Sequence, residues 1–206
     1  MPPHIVFDFG GVLFQWQPPR LLQREIPHVA TSPERATELA SQFFQSYTGD
    51  WAEFDRGTVS VPDLVQRIAR RTGLSADDVQ RVVDGVPQEL QPIPETVALL
   101  RRLRDAGRGL HFLSNMPRPY ADHLEATHDF VGWFASGVFS GREKLIKPEA
   151  AIFDFAAARF GQPPSNLVFL DDHLPNVQAA QARGWHALHF VNADQAEGAL
   201  RAQGWL

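Results

Sequence analysis

The chain has 206 residues, of which 44% are hydrophobic and 21% are charged. This length and composition suit one folded domain, or a core with a smaller insertion, and exclude a large multidomain assembly and a disordered chain. The formal net charge is −5 and cysteine is absent. We therefore expect no nucleic acid as a partner, and disulfides and thiolate metal sites are excluded.

The N-terminal residues carry no basic segment ahead of an apolar stretch, and no apolar run reaches the roughly 20 residues of a membrane-spanning helix. We therefore expect neither a signal peptide nor a membrane anchor. Together with the absence of cysteine, this predicts a cytoplasmic protein.

Residues 4–9 form the first predicted element, a short apolar run that contains Asp8 and stops at Gly10 and Gly11. Such a run predicts a buried β-strand that ends in a glycine-rich turn. The next segment, residues 16–91, shows no strand pattern. It contains helical patterns at residues 32–47, 61–71 and 76–83. Ser32, Ser60 and Ser75 mark their starts as possible caps, with acidic residues close behind.

This helical segment leaves the first strand and returns near Pro92, which predicts an insertion over the carboxyl ends of the strands, where ligands bind in such folds. It also carries several aromatic residues whose helical spacing favours packing in a core. They are Trp16, Phe43, Phe44, Tyr47, Trp51 and Phe54.

After the insertion, helical and strand patterns alternate along the chain. Helices are predicted over residues 94–106, 149–160 and 174–183, and strands over residues 110–113, 167–170 and 186–190. This alternation predicts an α/β fold, a Rossmann-like, doubly wound parallel sheet with helices on both faces.

Polar residues stand where three of the predicted strands end: Asp8, then Ser114 and Asn115, then Asp171 and Asp172. The carboxyl ends of parallel strands lie at one edge of the sheet, so we expect these side chains to converge. A fourth feature, Lys147-Pro148, precedes the helix that leads into the third of these strands.

In combination these residues resemble the four motifs of the haloacid dehalogenase superfamily. The matching segments are Phe7-Asp8-Phe9-Gly10-Gly11-Val12, Leu113-Ser114-Asn115, Ile146-Lys147-Pro148-Glu149 and Phe169-Leu170-Asp171-Asp172-His173. The resemblance is to the branch with a small helical cap inserted after the first motif. It implies a core domain formed by residues 1–15 and 92–206, and an α-helical cap domain formed by residues 16–91.

The resemblance also implies the roles of the residues. Asp8 is the expected nucleophile, and Lys147 is expected both in catalysis and in binding the phosphoryl oxygens. Ser114 and Asn115 are expected to bind substrate as well. The expected cofactor is Mg²⁺, held by Asp8, the Gly10 carbonyl, Asp171 and Asp172, because a hard cation must offset the repulsion between a carboxylate and a phosphate.

One position departs from the family pattern. Most phosphatases of this superfamily have a second Asp two residues after the nucleophile, where it serves as general acid and base, and this chain has Gly10 there. Glu53 and Asp55 in the insertion are the first candidates to replace it. A branch that includes sugar-phosphate phosphatases also has Gly at this position.

The expected function is that of a hydrolase, a magnesium-dependent phosphatase acting through an aspartyl-phosphate on a small phosphorylated metabolite, a sugar phosphate among the candidates. Two alternatives stay open: a metal-independent 2-haloacid dehalogenase, which also uses an attacking Asp, and a catalytically weak phosphate-binding module. The small-molecule phosphate ester is the one expected partner. The sequence leaves the oligomeric state open.

Overall fold

The computed structural model describes residues 2–206, with the exception of the Tyr47 side chain. Within these residues five strands form one sheet in which every neighbouring pair is parallel, in the order β3-β2-β1-β4-β5. The strands are β1 (His4–Phe7), β2 (Leu110–Ser114), β3 (Ser136–Phe139), β4 (Leu167–Asp171) and β5 (His186–His189). The predicted α/β fold with a doubly wound parallel sheet is confirmed.

Both faces of the central strand β1 are covered by apolar side chains. Successive side chains of a strand point to opposite faces of the sheet. Ile5 and Phe7 belong to one apolar cluster, whereas Val6 belongs to a second. The first cluster joins the sheet to Leu99 and Leu100, and the second contains buried residues of two later helices. Apolar runs without alternation are therefore the expected pattern for these strands.

Helices that follow the insertion connect the strands and cover the sheet. They are α6 (Pro94–Asp105), α7 (Arg118–Thr127), the short α8 (Ser140–Glu143), α9 (Ala150–Phe160), α10 (Leu174–Ala182) and α11 (Ala193–Ala202). Short 3₁₀ turns lie at Asp129–Trp133 and Pro164–Asn166. The predicted helices at residues 94–106, 149–160 and 174–183 are confirmed to within one or two residues at each end.

Five helices lie between β1 and α6, and no strand is found among them. They are α1 (Pro18–Glu25), α2 (Pro33–Phe44), α3 (Gly49–Arg56), α4 (Val61–Thr72) and α5 (Ala76–Glu89), with a 3₁₀ turn at Gln45–Tyr47. The side chains of Ser32, Ser60 and Ser75 accept hydrogen bonds from backbone N–H groups three residues on. They are N-caps, as the sequence predicts.

The aromatic residues of this segment pack together. Phe43, Phe44, Trp51 and Phe54 are buried, with neighbouring rings in edge-on or tilted contact. The Tyr47 side chain lies outside the described residues. None of the helices within the described residues is both long enough and apolar enough to cross a bilayer.

Candidate active site

Asp8 follows directly after β1, and the sheet itself sets its position. Its backbone N–H donates to the Leu170 carbonyl at 2.9 Å, which extends the pairing of β1 with β4 by one residue. Its carboxylate accepts a hydrogen bond from the Phe9 N–H at 2.7 Å. Burial, with the charges of Asp171 and Asp172, raises the pKa of Asp8 to about 7, against the opposing effect of Lys147.

Lys147 is buried, and its ammonium group lies between two carboxylates. The Nζ atom is 2.9 Å from Asp8 Oδ2 and 2.6 Å from Asp171 Oδ2. Burial alone would lower the pKa of Lys147, but Asp171 and Asp8 outweigh it and raise the pKa. Lys147 is therefore a fixed positive charge at the carboxyl ends of β1 and β4.

Asp171, the last residue of β4, is held by several donors. Its carboxylate accepts hydrogen bonds from Lys147 Nζ, from the His173 N–H at 2.8 Å and from Asn176 Nδ2 at 3.1 Å to each oxygen. Asn176, on α10, therefore contacts Asp171. With four donated bonds the carboxylate has a fixed orientation.

Asp172 is the exposed member of the acidic group and faces the cavity. Partial burial and the neighbouring Asp171 charge raise its pKa. One carboxylate oxygen from each of Asp8, Asp171 and Asp172 lies within 4.8 Å of the others. Three carboxylates face one ammonium group here, so two negative charges lack a counter-charge when all are ionised.

This donor set fits a magnesium ion. Mg²⁺ prefers oxygen ligands and is commonly held by one or two carboxylates with retained water. Asp8 and Asp172 supply the carboxylates, a divalent charge balances the cluster, and Gly10 lines the same cavity.

Ser114 and Asn115 lie at the carboxyl end of β2, and both line the cavity that contains Asp8. The Asn115 side chain is paired with the main chain of Lys147. Its Nδ2 donates to the Lys147 carbonyl at 3.0 Å, and its Oδ1 accepts from the Lys147 N–H at 2.9 Å. The Asn115 amide therefore positions Lys147, a contact that the sequence pattern did not indicate.

The structure separates the two acidic candidates in the insertion. Asp55 is buried and lines the cavity with Asp8, whereas the Glu53 side chain is 43% exposed and accepts a hydrogen bond from Thr58 Oγ1. Burial, with a contribution from the Asp8 charge, raises the pKa of Asp55 well above its ordinary value, although Lys147 opposes this. Burial therefore favours the protonated form of Asp55 beside Asp8.

Two contacts hold α3, which carries Asp55, against the segments that follow the strands. Ser140 Oγ, on α8, donates to the Asp55 carbonyl at 2.5 Å and accepts from the Met116 N–H at 2.8 Å. Arg56 makes a two-pronged ion pair with Glu149, at the start of α9, at 2.9 and 2.6 Å. These contacts fix the helix that carries Asp55.

The cavity has a volume of about 440 Å³. Its walls also include Met116, Tyr120 and His173, to which sequence reasoning gave no role. Met116 directly follows the second motif and His173 is the last residue of the fourth, which is the one sequence signal that pointed to them.

The sheet is parallel, and carboxylates and a lysine cluster at the carboxyl ends of its strands. Enzymes with such an α/β sheet bind their ligands at this edge. The model of the haloacid dehalogenase-like hydrolase family matches residues 3–184. The chain belongs to this hydrolase family, as its motifs predict.

The chain is similar to two curated relatives and, in fold, to a solved structure. A sesquiterpene phosphatase from Aspergillus oryzae is 27% identical over 192 residues, which cover 91% of this chain and 89% of that protein. An (S)-2-haloacid dehalogenase from Pseudomonas putida is 26% identical over 154 residues, covering 73% of this chain and 66% of the dehalogenase. A family enzyme from Bacteroides thetaiotaomicron, solved with magnesium and inorganic phosphate, superimposes with a TM-score of 0.71 at 19% identity, covering 91% and 93% of the two chains.

Proposed function

We propose that the protein is a magnesium-dependent phosphatase that hydrolyses a small phosphate ester through an aspartyl-phosphate at Asp8. The observation that carries this proposal is the contact of Lys147 with both Asp8 and Asp171, beside the exposed carboxylate of Asp172. The phosphatase among the relatives supports the same reaction.

We further propose that residues 16–91 are a cap domain and that residues 1–15 and 92–206 are the core domain. The support is the position of Asp55: it is carried by a helix of the insertion, yet it shares the cavity with Asp8. The cap thus contributes a reactive group to the site as well as a wall.

In the first step the Asp8 carboxylate attacks phosphorus, and the bond between phosphorus and the ester oxygen breaks. Lys147 and Ser114 offer positive charge and a hydrogen bond to the phosphoryl oxygens. The departing oxygen takes the proton of Asp55 and leaves as the alcohol. A magnesium ion held by Asp8, the Gly10 carbonyl, Asp171 and Asp172 supplies charge that offsets the repulsion between the nucleophile and the phosphoryl group.

In the second step water attacks the phosphorus of the aspartyl-phosphate, and Asp55, now ionised, accepts a proton from that water. Inorganic phosphate leaves, the Asp8 carboxylate is restored and Asp55 is protonated again. Asp55 thereby acts as the general acid and base, as a second Asp does in most phosphatases of the family. Gly10, which stands at the position of that Asp, has no side chain to do so.

Dehalogenation of a 2-haloacid is the second candidate, because Gly10 and the dehalogenase relative favour it. The acidic neighbours of Asp8 weigh against it. Without a cation they help to raise the pKa of Asp8 to about 7, which leaves much of the nucleophile protonated near neutral pH. A metal-free mechanism needs this carboxylate ionised.

One panel of substrates separates the two reactions. Purified protein is incubated with phosphate esters and with 2-haloacids, with magnesium or with a chelator, and phosphate and halide release are measured. We expect phosphate release that needs magnesium and is abolished by Asp8→Asn, whereas Asp105→Asn, at an exposed surface position, retains it. Halide release that persists in the chelator would overturn the proposal.

A further inference from the structure

The lining of the cavity combines charged residues with an apolar wall. The charged residues are Asp8, Asp55, Lys147 and Asp172, which the proposed function uses in the reaction. The apolar wall is formed by the aromatic, aliphatic and proline side chains of the lining. These are Trp16, Trp51, Val86, Leu90, Met116, Pro117, Tyr120, Pro148 and Pro175.

Part of the apolar wall belongs to the buried core. Trp51, Val86 and Leu90 are almost fully buried, and they belong to the same apolar cluster as β1. The Tyr120 hydroxyl donates to the Val83 carbonyl at 2.8 Å, so its polar atom is already engaged.

Few groups on this wall can replace water around a polar ligand. Besides Ser114 and the engaged hydroxyl of Tyr120, the hydroxyl side chains among the described lining residues are Ser46 and Thr48. Thr48 Oγ1 already donates to the Gln45 carbonyl at 2.6 Å. A sugar, with a hydroxyl on nearly every carbon, would lose hydrogen bonds to water on entering this space, and each unpaired polar group is costly.

We propose that the substrate is the phosphate monoester of an apolar, hydrocarbon-chain alcohol, and that the chain lies against Trp51, Val86 and Leu90. This inference rests on the proposed phosphatase function and names its substrate class. The volume of about 440 Å³ lies in the range of cavities that enclose a ligand of drug size. A single phosphate on a hydrocarbon chain matches a cavity that combines these charged residues with an apolar wall.

The test compares methyl, butyl, hexyl and octyl phosphate with glucose 6-phosphate, all below the concentration at which the octyl ester forms micelles. We expect kcat/KM to rise with chain length, by up to about fourfold for each added methylene. Glucose 6-phosphate should be a poorer substrate than octyl phosphate. Equal rates along the alkyl series, or faster hydrolysis of the sugar phosphate, would overturn the proposed substrate class.

Variants locate the effect in the cavity. Val86→Thr places a hydroxyl on the apolar wall with little change of shape, and we expect the ratio of octyl to methyl kcat/KM to fall about fivefold or more. Met116→Gln provides a second variant in case Val86→Thr folds poorly. Val191→Thr makes the same change at a position that is 66% exposed and should leave the ratio unchanged. An unchanged ratio in both cavity variants would contradict the proposal.

Binding separates this inference from the proposed function. Calorimetry on Asp8→Asn protein measures the affinities for octyl phosphate, butyl phosphate and glucose 6-phosphate without turnover. Tighter binding of the octyl ester supports the apolar site even if wild-type protein releases no phosphate, a result that would count against the phosphatase mechanism alone. Tighter binding of the sugar phosphate rejects the apolar site whatever the outcome of the activity assay.

Discussion

The carboxylate of Asp172 lies directly against the Cα atom of Gly11. A Cβ atom added to Gly11 would lie 2.3 Å from Asp172 Oδ2 and 2.5 Å from its Cγ. The backbone of Gly11 also has φ of +74°, in the left-handed region that favours glycine. The turn after β1 and the end of β4 therefore approach so closely that only glycine fits at this position.

This contact predicts that Gly11→Ala weakens magnesium binding. The added methyl group must displace the Asp172 carboxylate, and the left-handed backbone adds a folding cost of about 1 kcal/mol. We expect the affinity for magnesium to fall by about tenfold or more, since one of the proposed ligands moves. Calorimetric titration with magnesium measures the affinity, and chemical denaturation measures the free energy of unfolding.

Gly107→Ala is the matched control. Gly107 has φ of +70°, close to that of Gly11, but an added Cβ atom there meets nothing within 4 Å. Both variants should show a similar loss in the free energy of unfolding, whereas only Gly11→Ala should lose magnesium affinity. Wild-type affinity in a folded Gly11→Ala protein would show that Asp172 does not hold the metal.

A second prediction concerns Asp55 as the acid that protonates the leaving group. Asp55→Asn keeps the size of the side chain but removes the transferable proton. We expect kcat for an alkyl phosphate to fall by about 10²–10⁴-fold, the usual range for general acid–base assistance. With p-nitrophenyl phosphate, whose leaving group needs little protonation, formation of the aspartyl-phosphate should change much less in single-turnover kinetics.

Glu53→Gln is the control for Asp55→Asn, because Glu53 lies on the same helix but is directed to Thr58 and Arg56. Its kinetics should match those of the wild type with both esters. An equal loss of aspartyl-phosphate formation with both esters in Asp55→Asn would point to a structural role for Asp55.

A third prediction concerns stability and pH at His111, which is remote from the proposed reaction. Burial, with a contribution from the charge of His4, lowers the pKa of His111 to about 4. Its ring nitrogens lie 2.9 Å from His4 Nδ1 and 2.8 Å from Ser136 Oγ. The folded protein therefore holds His111 in its neutral form.

The pKa of His111 in the folded protein lies below its ordinary value of 6.5. The contribution of neutral His111 to the free energy of unfolding is therefore present in full above pH 6.5. It is lost as the pH falls towards 4, since the unfolded chain takes up the proton first. We expect the free energy of unfolding of the wild type to fall by about 1–3 kcal/mol more than that of His111→Gln between pH 7 and 4. Urea unfolding at several pH values measures this difference. The titration of the carboxylates contributes equally to both proteins and so cancels in the comparison. Parallel pH profiles would contradict the prediction.

The sequence predicted the elements whose patterns are local and missed those that depend on tertiary contacts. Strand β3 was missed because Ser136 and Gly137 leave it without an apolar run. A Cβ atom on Gly137 would lie 2.0 Å from the ring of Phe112 on the neighbouring strand. The glycine makes room for this ring, a contact between strands that the local sequence pattern does not indicate. Helix α5 continues six residues beyond the predicted end at Val83 and includes Pro87, although proline normally argues against a helix interior.

The same limit applies to the candidate site. The motif residues lie at strand ends, and parallel topology alone predicts that Asp8, Ser114 and Asp171 converge. Sequence reasoning named Glu53 and Asp55 together and could not choose between them. They are two residues apart on a helix and so point in different directions, and only the placement of that helix over β1 decides which of them enters the cavity.

The last prediction concerns Gly10, which stands where most phosphatases of the family have their acid–base Asp. Its φ lies outside the left-handed region, unlike that of Gly11, and an added Cβ atom would make ordinary contact with Trp16 at 3.7 Å. The position therefore accepts a larger residue without backbone strain. Gly10→Asp tests whether the acid–base role is vacant or already filled by Asp55.

If Asp55 fills the role, Gly10→Asp should add little to the rate in the wild type. In the Asp55→Asn background it should restore hydrolysis of an alkyl phosphate by at least about tenfold, because general acid–base assistance is worth about 10²–10⁴-fold. The two effects are then strongly non-additive, which a double-mutant cycle measures. Single-turnover kinetics at saturating magnesium on the four proteins provide the rates of aspartyl-phosphate formation and hydrolysis. Equal acceleration in both backgrounds would show that Asp55 is not the acid. If a folded, metal-binding double variant shows no rescue, a side chain at position 10 does not reach the leaving group.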